Sequence, residues 1–308
     1  MILTLLLLSA CTIADVTVAP GEDRLVVEGV LRTDARQQFI LLHRSVQSGV
    51  AEGEPGAEVF VTRGDGVRIP FTETALACYT IDPAYVDIDT PIEIRGTCYA
   101  SASSAGRWVS PGLTYDLTVR TTRGEEARAR TTVPGNFSLR GVPMSRLNDQ
   151  PPVACTLAPA TPLPLTWSAS QGAWGYISPL RVQGLREVLP DSFNAPEPLE
   201  LVGVSVSAAD TALVLPAEFG VFERFQYNQN LLRLLQTGLP GGTTARVTVA
   251  AADRNYINGV RGGSFNPSGP IRISSVVGDG VGVFGSLVPL HASIEVGQPA
   301  PGRPICTG

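Results

Sequence analysis

Apolar residues recur at every second position in many short runs of this chain, and glycine, proline and acidic residues separate the runs. That period places alternate side chains on opposite faces of a half-buried β-strand. Arg24 to Leu31 and Gln38 to Arg44 have strand composition, and Thr114 to Arg120 alternates polar with apolar before returning through Ala127 to Val133. Ala57 to Thr62 faces Val67 to Phe71 across Arg63-Gly64-Asp65-Gly66, where Asp-Gly supplies the positive φ that a tight hairpin needs. Short strands at this spacing predict an immunoglobulin-like β-sandwich over residues 23–135, closed by Pro134-Gly135.

Pro151, Pro152, Pro159, Pro162 and Pro164 then mark a crossing into a second unit, residues 136–308. There Leu165 to Ser168 and Gly175 to Val182 are expected to pair. Leu201 to Val206, Ala212 to Leu215, Ala245 to Ala250 and Ile271 to Val296 add further strands. Residues 219–236 fit a short helix or a strand equally well, since Leu231 to Leu235 satisfies both periods. Asp253 is placed to cap a helical turn that carries Tyr256 and Ile257 and stops at Gly259. The expected class is all-β: an N-terminal immunoglobulin-like sandwich followed by a mainly β domain with one or two short helices.

The 32 glycines and 25 prolines reinforce that reading by interrupting helices throughout. The 44% apolar share is too high for a disordered chain. The sequence contains no lysine, so all 23 basic residues are arginine; the net charge is −5 and the basic residues form no block. A nucleic-acid binder needs clustered cations to displace counterions, so that class is excluded.

The N-terminus adds a compartment. Residues 1–10, Met-Ile-Leu-Thr-Leu-Leu-Leu-Leu-Ser-Ala, are too short to span a bilayer but have the length of a signal-peptide core. Leu8-Ser9-Ala10-Cys11 resembles the lipobox of bacterial lipoproteins, in which the cysteine is acylated and becomes the new N-terminus. No basic residue precedes the apolar run, which points to a start upstream of Met1. Residues 11–22 then form a tether from lipid to fold, and Thr12 directs the protein to the outer membrane. Removing Cys11 leaves Cys78, Cys98, Cys155 and Cys306, an even set that an exported chain would oxidise in one of three pairings. The favoured pairing is Cys78 with Cys98 and Cys155 with Cys306. The spacings and the two isolated histidines offer no metal site, and no cofactor is implied.

One segment is more specific. Ser264-Phe265-Asn266-Pro267 is followed by Ile273-Ser274-Ser275-Val276-Val277-Gly278-Asp279-Gly280-Val281-Gly282-Val283-Phe284-Gly285-Ser286 and preceded by Asn255-Tyr256-Ile257. With Leu25 to Val30 and Pro55-Gly56-Ala57-Glu58-Val59, this pattern resembles the DUF4249 lipoproteins, which carry a Tyr-bearing segment, a Pro/Phe/Asn-rich loop and a glycine-rich strand ending in Phe-Gly. Here Ser275 stands where the family usually has Asn, and residues 78–98 are an insertion. The resemblance implies an envelope protein of a Bacteroidetes-like bacterium, of unknown biochemical function, encoded near TonB-dependent outer-membrane receptors.

Catalytic patterns are sparse. The sequence has no nucleophile elbow, zincin helix, phosphate loop or dinucleotide fingerprint. A Ser-His-Asp arrangement would need His43 or His291, and both sit among strand residues. Asp82, Asp87 and Asp89 lack EF-hand spacing. The bare faces of Gly278, Gly280, Gly282 and Gly285 invite an aromatic cover from Tyr256, Trp167 or Trp174. Trp174, Tyr256 and Phe284, if exposed, are the expected partner-contact residues. The leading expectation is a non-enzymatic outer-membrane lipoprotein, bound to the membrane through its lipid and acting as accessory to a receptor protein. An extracytoplasmic glycan hydrolase and a structural adhesion module are the alternatives.

Overall fold

The computed structural model describes residues 23–45, 52–75, 78, 96–205, 207–220, 228–261 and 273–308. The chain forms β1 (Leu25–Arg32), β2 (Phe39–Arg44), β3 (Glu58–Arg63), β4 (Arg68–Thr74), β5 (Thr97–Ser101), β6 (Thr114–Arg120), β7 (Glu126–Thr132) and β8 (Leu139–Arg140). It continues as β9 (Cys155–Leu157), β10 (Leu163–Trp167), β11 (Gly175–Gln183), the single turn α1 (Leu185–Val188), β12 (Leu199–Val204) and β13 (Ala212–Leu215). The last elements are α2 (Gln229–Thr237), β14 (Thr244–Ala252), α3 (Arg254–Arg261), β15 (Val276–Gly278) and β16 (Gly280–Val296). The all-β class expected from the period-two runs is the one observed.

Among the described residues one extended sheet has the order β12-β11-β14-β16-β1-β2-β5-β4-β3-β6-β7-β15, with β9 attached to β16. In the first unit the strands curl around a core that includes Val27, Leu31, Ile40, Leu42, Val61, Leu117 and Val119. The alternating burial of β1 and β6 shows the expected two-faced strands. The curl closes on itself, because β15 pairs with β7 and then runs through Asp279 directly into β16. Tyr115, at the start of β6, donates its hydroxyl to the Trp108 carbonyl at 3.0 Å and accepts from the Ser110 amide at 2.9 Å. This is a tyrosine corner of the kind that pins Greek-key sandwiches.

β16 serves both groups of strands. Its first half, Gly280 to Leu287, lies parallel to β1; its second half, Leu287 to Glu295, lies antiparallel to β14. A three-stranded sheet, β13-β10-β8, forms the other layer of the C-terminal part. The core between these layers includes Leu165, Trp167, Tyr176, Val247, Leu290 and Ile294. β10 and β11, expected to pair, instead lie in different sheets, β10 between β13 and β8 and β11 between β12 and β14. Leu165 and Trp167 of β10 and Tyr176, Leu180 and Val182 of β11 share one core, so these hydrophobic positions stack across the layers and do not pair.

One open alternative is resolved and one expectation changes. Residues 229–237 are helical, with the Asn228 side chain accepting from the Asn230 amide at 2.8 Å as N-cap. Gly259 does not stop α3, which runs on to Arg261. Its lack of a side chain instead admits Val283, whose Cγ2 would lie 2.7 Å from an added Cβ. Both disulfides form as favoured, Cys78–Cys98 and Cys155–Cys306. Cys11 and the Asp82, Asp87 and Asp89 group lie outside the described residues.

Candidate functional site

The three aromatic residues expected to make a contact surface divide between surface and core. Trp174 closes the β10–β11 loop, where its amide donates to the Ala252 carbonyl at 2.8 Å, and its side chain is 46% exposed. The Arg254 guanidinium, at the start of α3, lies 5.3 Å from the indole centroid, a cation–π distance. Tyr256 and Phe284 are not surface residues: they are 3% and 0% exposed. Phe284 points into the first core against Gly29, whose added Cβ would sit 3.3 Å from the ring. Tyr256 lies under α3 with Ile177, Ile257 and Leu287, and its Cβ would be 2.9 Å from a Cβ on Gly285. The bare glycine therefore buries the tyrosine instead of offering it to a partner.

Beneath this surface the strands meet at a buried carboxylate. Asp253 follows β14 and caps α3, its Oδ1 accepting from the Tyr256 amide at 2.9 Å and the Ser286 amide at 3.1 Å. Its Oδ2 accepts from the Thr131 hydroxyl of β7 at 2.6 Å, and Thr131 also meets Ser286 Oγ at 2.8 Å. Burial pushes the Asp253 carboxyl up to about 6, against the opposing pull of these hydrogen bonds. The helix cap was legible in the sequence; the tie to Thr131, 122 residues away, was not.

A second polar tie lies further along β16. His291 Nε2 is 2.9 Å from Asp34 Oδ2, and its Nδ1 is 2.9 Å from the Thr248 hydroxyl directly across the strand. Arg32 binds Asp34 through two hydrogen bonds, at 3.1 and 3.0 Å. Burial disfavours the Asp34 anion, but the His291 hydrogen bond and the Arg32 charge outweigh it and hold the carboxyl well below the usual range. The imidazole thus sits between the Thr248 hydroxyl and the Asp34 carboxylate, one ring nitrogen on each. Asp34 is fully buried and His291 nearly so, and each partner comes from a different strand or turn. The arrangement works as a tie between the two groups of strands. His43, the other histidine, has its Nδ1 2.8 Å from the Arg44 carbonyl.

Arg44 is a third hub that sequence reading missed. It is buried and meets Glu54 at 3.2 Å, Glu125 at 3.0 Å and Asp23 at 3.4 Å. The partners lie far apart in sequence and share no motif. Among the described residues no group of three or more His, Cys, Asp or Glu side chains is placed to hold a metal ion.

Residues 13–158 match the DUF4249 family model, a domain of unknown function. The match supports the family over β1 to β9. The glycine-rich strand, DUF4249-like in its residues, lies beyond the matched range. No curated protein matches the chain. Among solved structures, the crystal structure of DIP-gamma IG1+IG2 aligns with 89% of this chain and 99% of that chain, at 8% identity and a TM-score of 0.18.

Proposed function

We propose that this protein is a lipoprotein of the bacterial outer membrane, anchored through Cys11, that works by offering a surface to envelope machinery and not by chemistry. Leu8-Ser9-Ala10-Cys11 supports the anchor, and the DUF4249 match supports the kinship with envelope lipoproteins implied by the sequence. The observation that carries the binding role is Trp174: a half-exposed indole capped by Arg254 at the surface where α3 meets the start of β11. Large aromatics beside arginine are the side chains most often found as anchors in protein interfaces. A TonB-dependent receptor is the proposed partner.

Capture of the mature protein with a co-expressed candidate receptor, beside Trp174→Ala, tests this reading. The substitution should weaken capture by more than ~1 kcal/mol, about fivefold or more, without moving the unfolding midpoint appreciably. Equal capture by both forms would remove Trp174 from the contact. Turnover of a glycan or ester substrate, lost on replacing one carboxylate, would replace a binding role with a hydrolytic one.

A further inference from the structure

We infer that β1 and β16 form a clamp against tension: force that enters at the N-terminal strand and leaves through the C-terminal group of strands pulls these two strands past each other in shear. The anchor reading supplies the source of such tension, a protein held by its first residues while a partner draws on its surface. The clamp follows from the strand order alone.

β1 is the first strand among the described residues, yet it lies inside the sheet and not at an edge. Leu25 to Arg32 pairs in parallel with Gly280 to Leu287, and Leu25 to Gly29 pairs with Ile40 to Arg44 of β2 on the other side. Because β1 and β16 run the same way, the start of β1 and the end of β16 lie at opposite ends of their shared ladder. Pulling on those two points drives β1 backwards and β16 forwards. The backbone hydrogen bonds cross between the strands, so they lie across that motion and carry the force together. Peeling β1 sideways from Leu25 loads one rung at a time. The rate of forced unfolding follows the barrier to rupture, and the barrier of a whole eight-residue ladder exceeds that of a single rung.

Further contacts oppose the same slide. At the entry, the Arg24 carbonyl accepts from the Ser45 amide at 2.9 Å, the Arg24 amide donates to the Ser45 hydroxyl at 3.0 Å, and Asp23 meets Arg44 at 3.4 Å. Along the strand, Leu25, Val27 and Leu31 are fully buried in the core, and Gly29 lies against the Phe284 ring. Beyond β1, Asp34 is 2.9 Å from His291 in the second half of β16 and is held by Arg32. Backward movement of β1 draws Asp34 off the imidazole at a fully buried position, where the broken bond goes unreplaced.

The receiving strand is secured as well. Leu287 to Glu295 pairs with β14, and Ile294 to Val296 pairs with β9, which Cys155–Cys306 ties to the last residues. Tension that reaches β16 therefore spreads into β14 and β9. Trp174, the proposed contact, joins the same network: its amide donates to the Ala252 carbonyl, and Ala252 pairs with Leu287, where the β1–β16 ladder ends. A partner seated there takes hold of the sheet at the end of that ladder opposite the N-terminus.

Single-molecule pulling on the oxidised chain from Thr12 tests the clamp. One handle goes on the N-terminal α-amine, which reacts selectively near neutral pH because its pKa lies well below that of a lysine. The sequence has no lysine, so one introduced lysine takes the second handle. Gln298→Lys places it past the end of β16, and Thr122→Lys places it in the β6–β7 turn beside Arg123, which meets Asp23; both positions are exposed. Pulling from 298 shears β1 against β16, whereas pulling from 122 peels β1 away from Leu25. At one pulling speed, the force that frees β1 should be roughly threefold higher from 298 than from 122. Equal forces, or a higher force from 122, overturn the inference. Asp34→Asn gives a second readout. It should lower the force from 298 and leave the force from 122 unchanged, because peeling starts at Leu25, far from residue 34. An equal fall in both directions overturns the part assigned to Asp34. The handles impose the geometry whether or not Cys11 is acylated, so failure of the clamp and failure of the anchor are read separately.

Discussion

Asp253 makes stability depend on pH in a window set by one residue. Its carboxyl is raised from 3.8 to about 6 in the folded state, so folding favours the protonated form. At about 1.36 kcal/mol per pKa unit, ionising it in place costs about 3 kcal/mol at pH 7.5. The sign follows: the penalty is absent below the unfolded value, grows between the two, and is complete above the folded one. At pH 5 roughly half of it remains, so the protein gains about 1–1.5 kcal/mol on acidification from pH 7.5 to pH 5. Asp34 acts in the opposite sense, but its pKa is lowered, so its contribution is lost only below the normal carboxylate range. Asp253→Asn keeps an oxygen for the Tyr256 and Ser286 amides and removes the titration. Urea unfolding of the oxidised protein at several pH values between 5 and 7.5, for both forms, measures the difference. The wild type should gain stability on acidification by about 1 kcal/mol more than the variant. Parallel pH profiles would show that the buried carboxyl is not raised and refute the reasoning.

Other consequences follow from the same contacts. Gly282→Ala forces a side chain onto φ +134° and puts its Cβ 2.0 Å from the Val27 carbonyl, so it should disrupt the β1–β16 pairing and cost several kcal/mol, about 3 or more, in urea unfolding. Cys155→Ser with Cys306→Ser opens a link of sequence separation 151, for which the chain-entropy relation gives a loss of about 5 kcal/mol; opening Cys78–Cys98, separation 20, should cost less, about 3 kcal/mol. Arg44→Met leaves Glu54 buried without its cation and should destabilise by about 3–5 kcal/mol, while Arg44→Met combined with Glu54→Gln recovers part of that loss.

What the sequence made legible is local. Thr114 to Arg120 reads as a strand because its alternation is complete, and the Arg63–Val67 turn reads as a hairpin because Asp-Gly meets its φ requirement. Asp253 was readable as a cap because Tyr256 follows at the spacing of a first helical turn. The pairing of β1 with β16 has no such signature, since Leu25 and Gly280 meet only when the whole chain between them has folded. The same distance hides Asp34 with His291, Thr131 with Asp253, and the four members of the Arg44 hub. Tyr256 and Phe284, contact residues only if exposed, lie in the core for a related reason. Glycines on a strand reveal that something packs close, but not whether it does so from inside the core. Trp174 alone of the three was placed at the surface, where the indole lies half-exposed beside Arg254.

A surface-presenting protein held at a membrane by its first mature residue can be recognised by mass spectrometry of the native N-terminal peptide from bacterial membranes. The expected peptide begins at Cys11 and carries a thioether-linked diacylglycerol. A peptide that extends upstream of Cys11, or one with an unmodified Cys11 thiol, would contradict it.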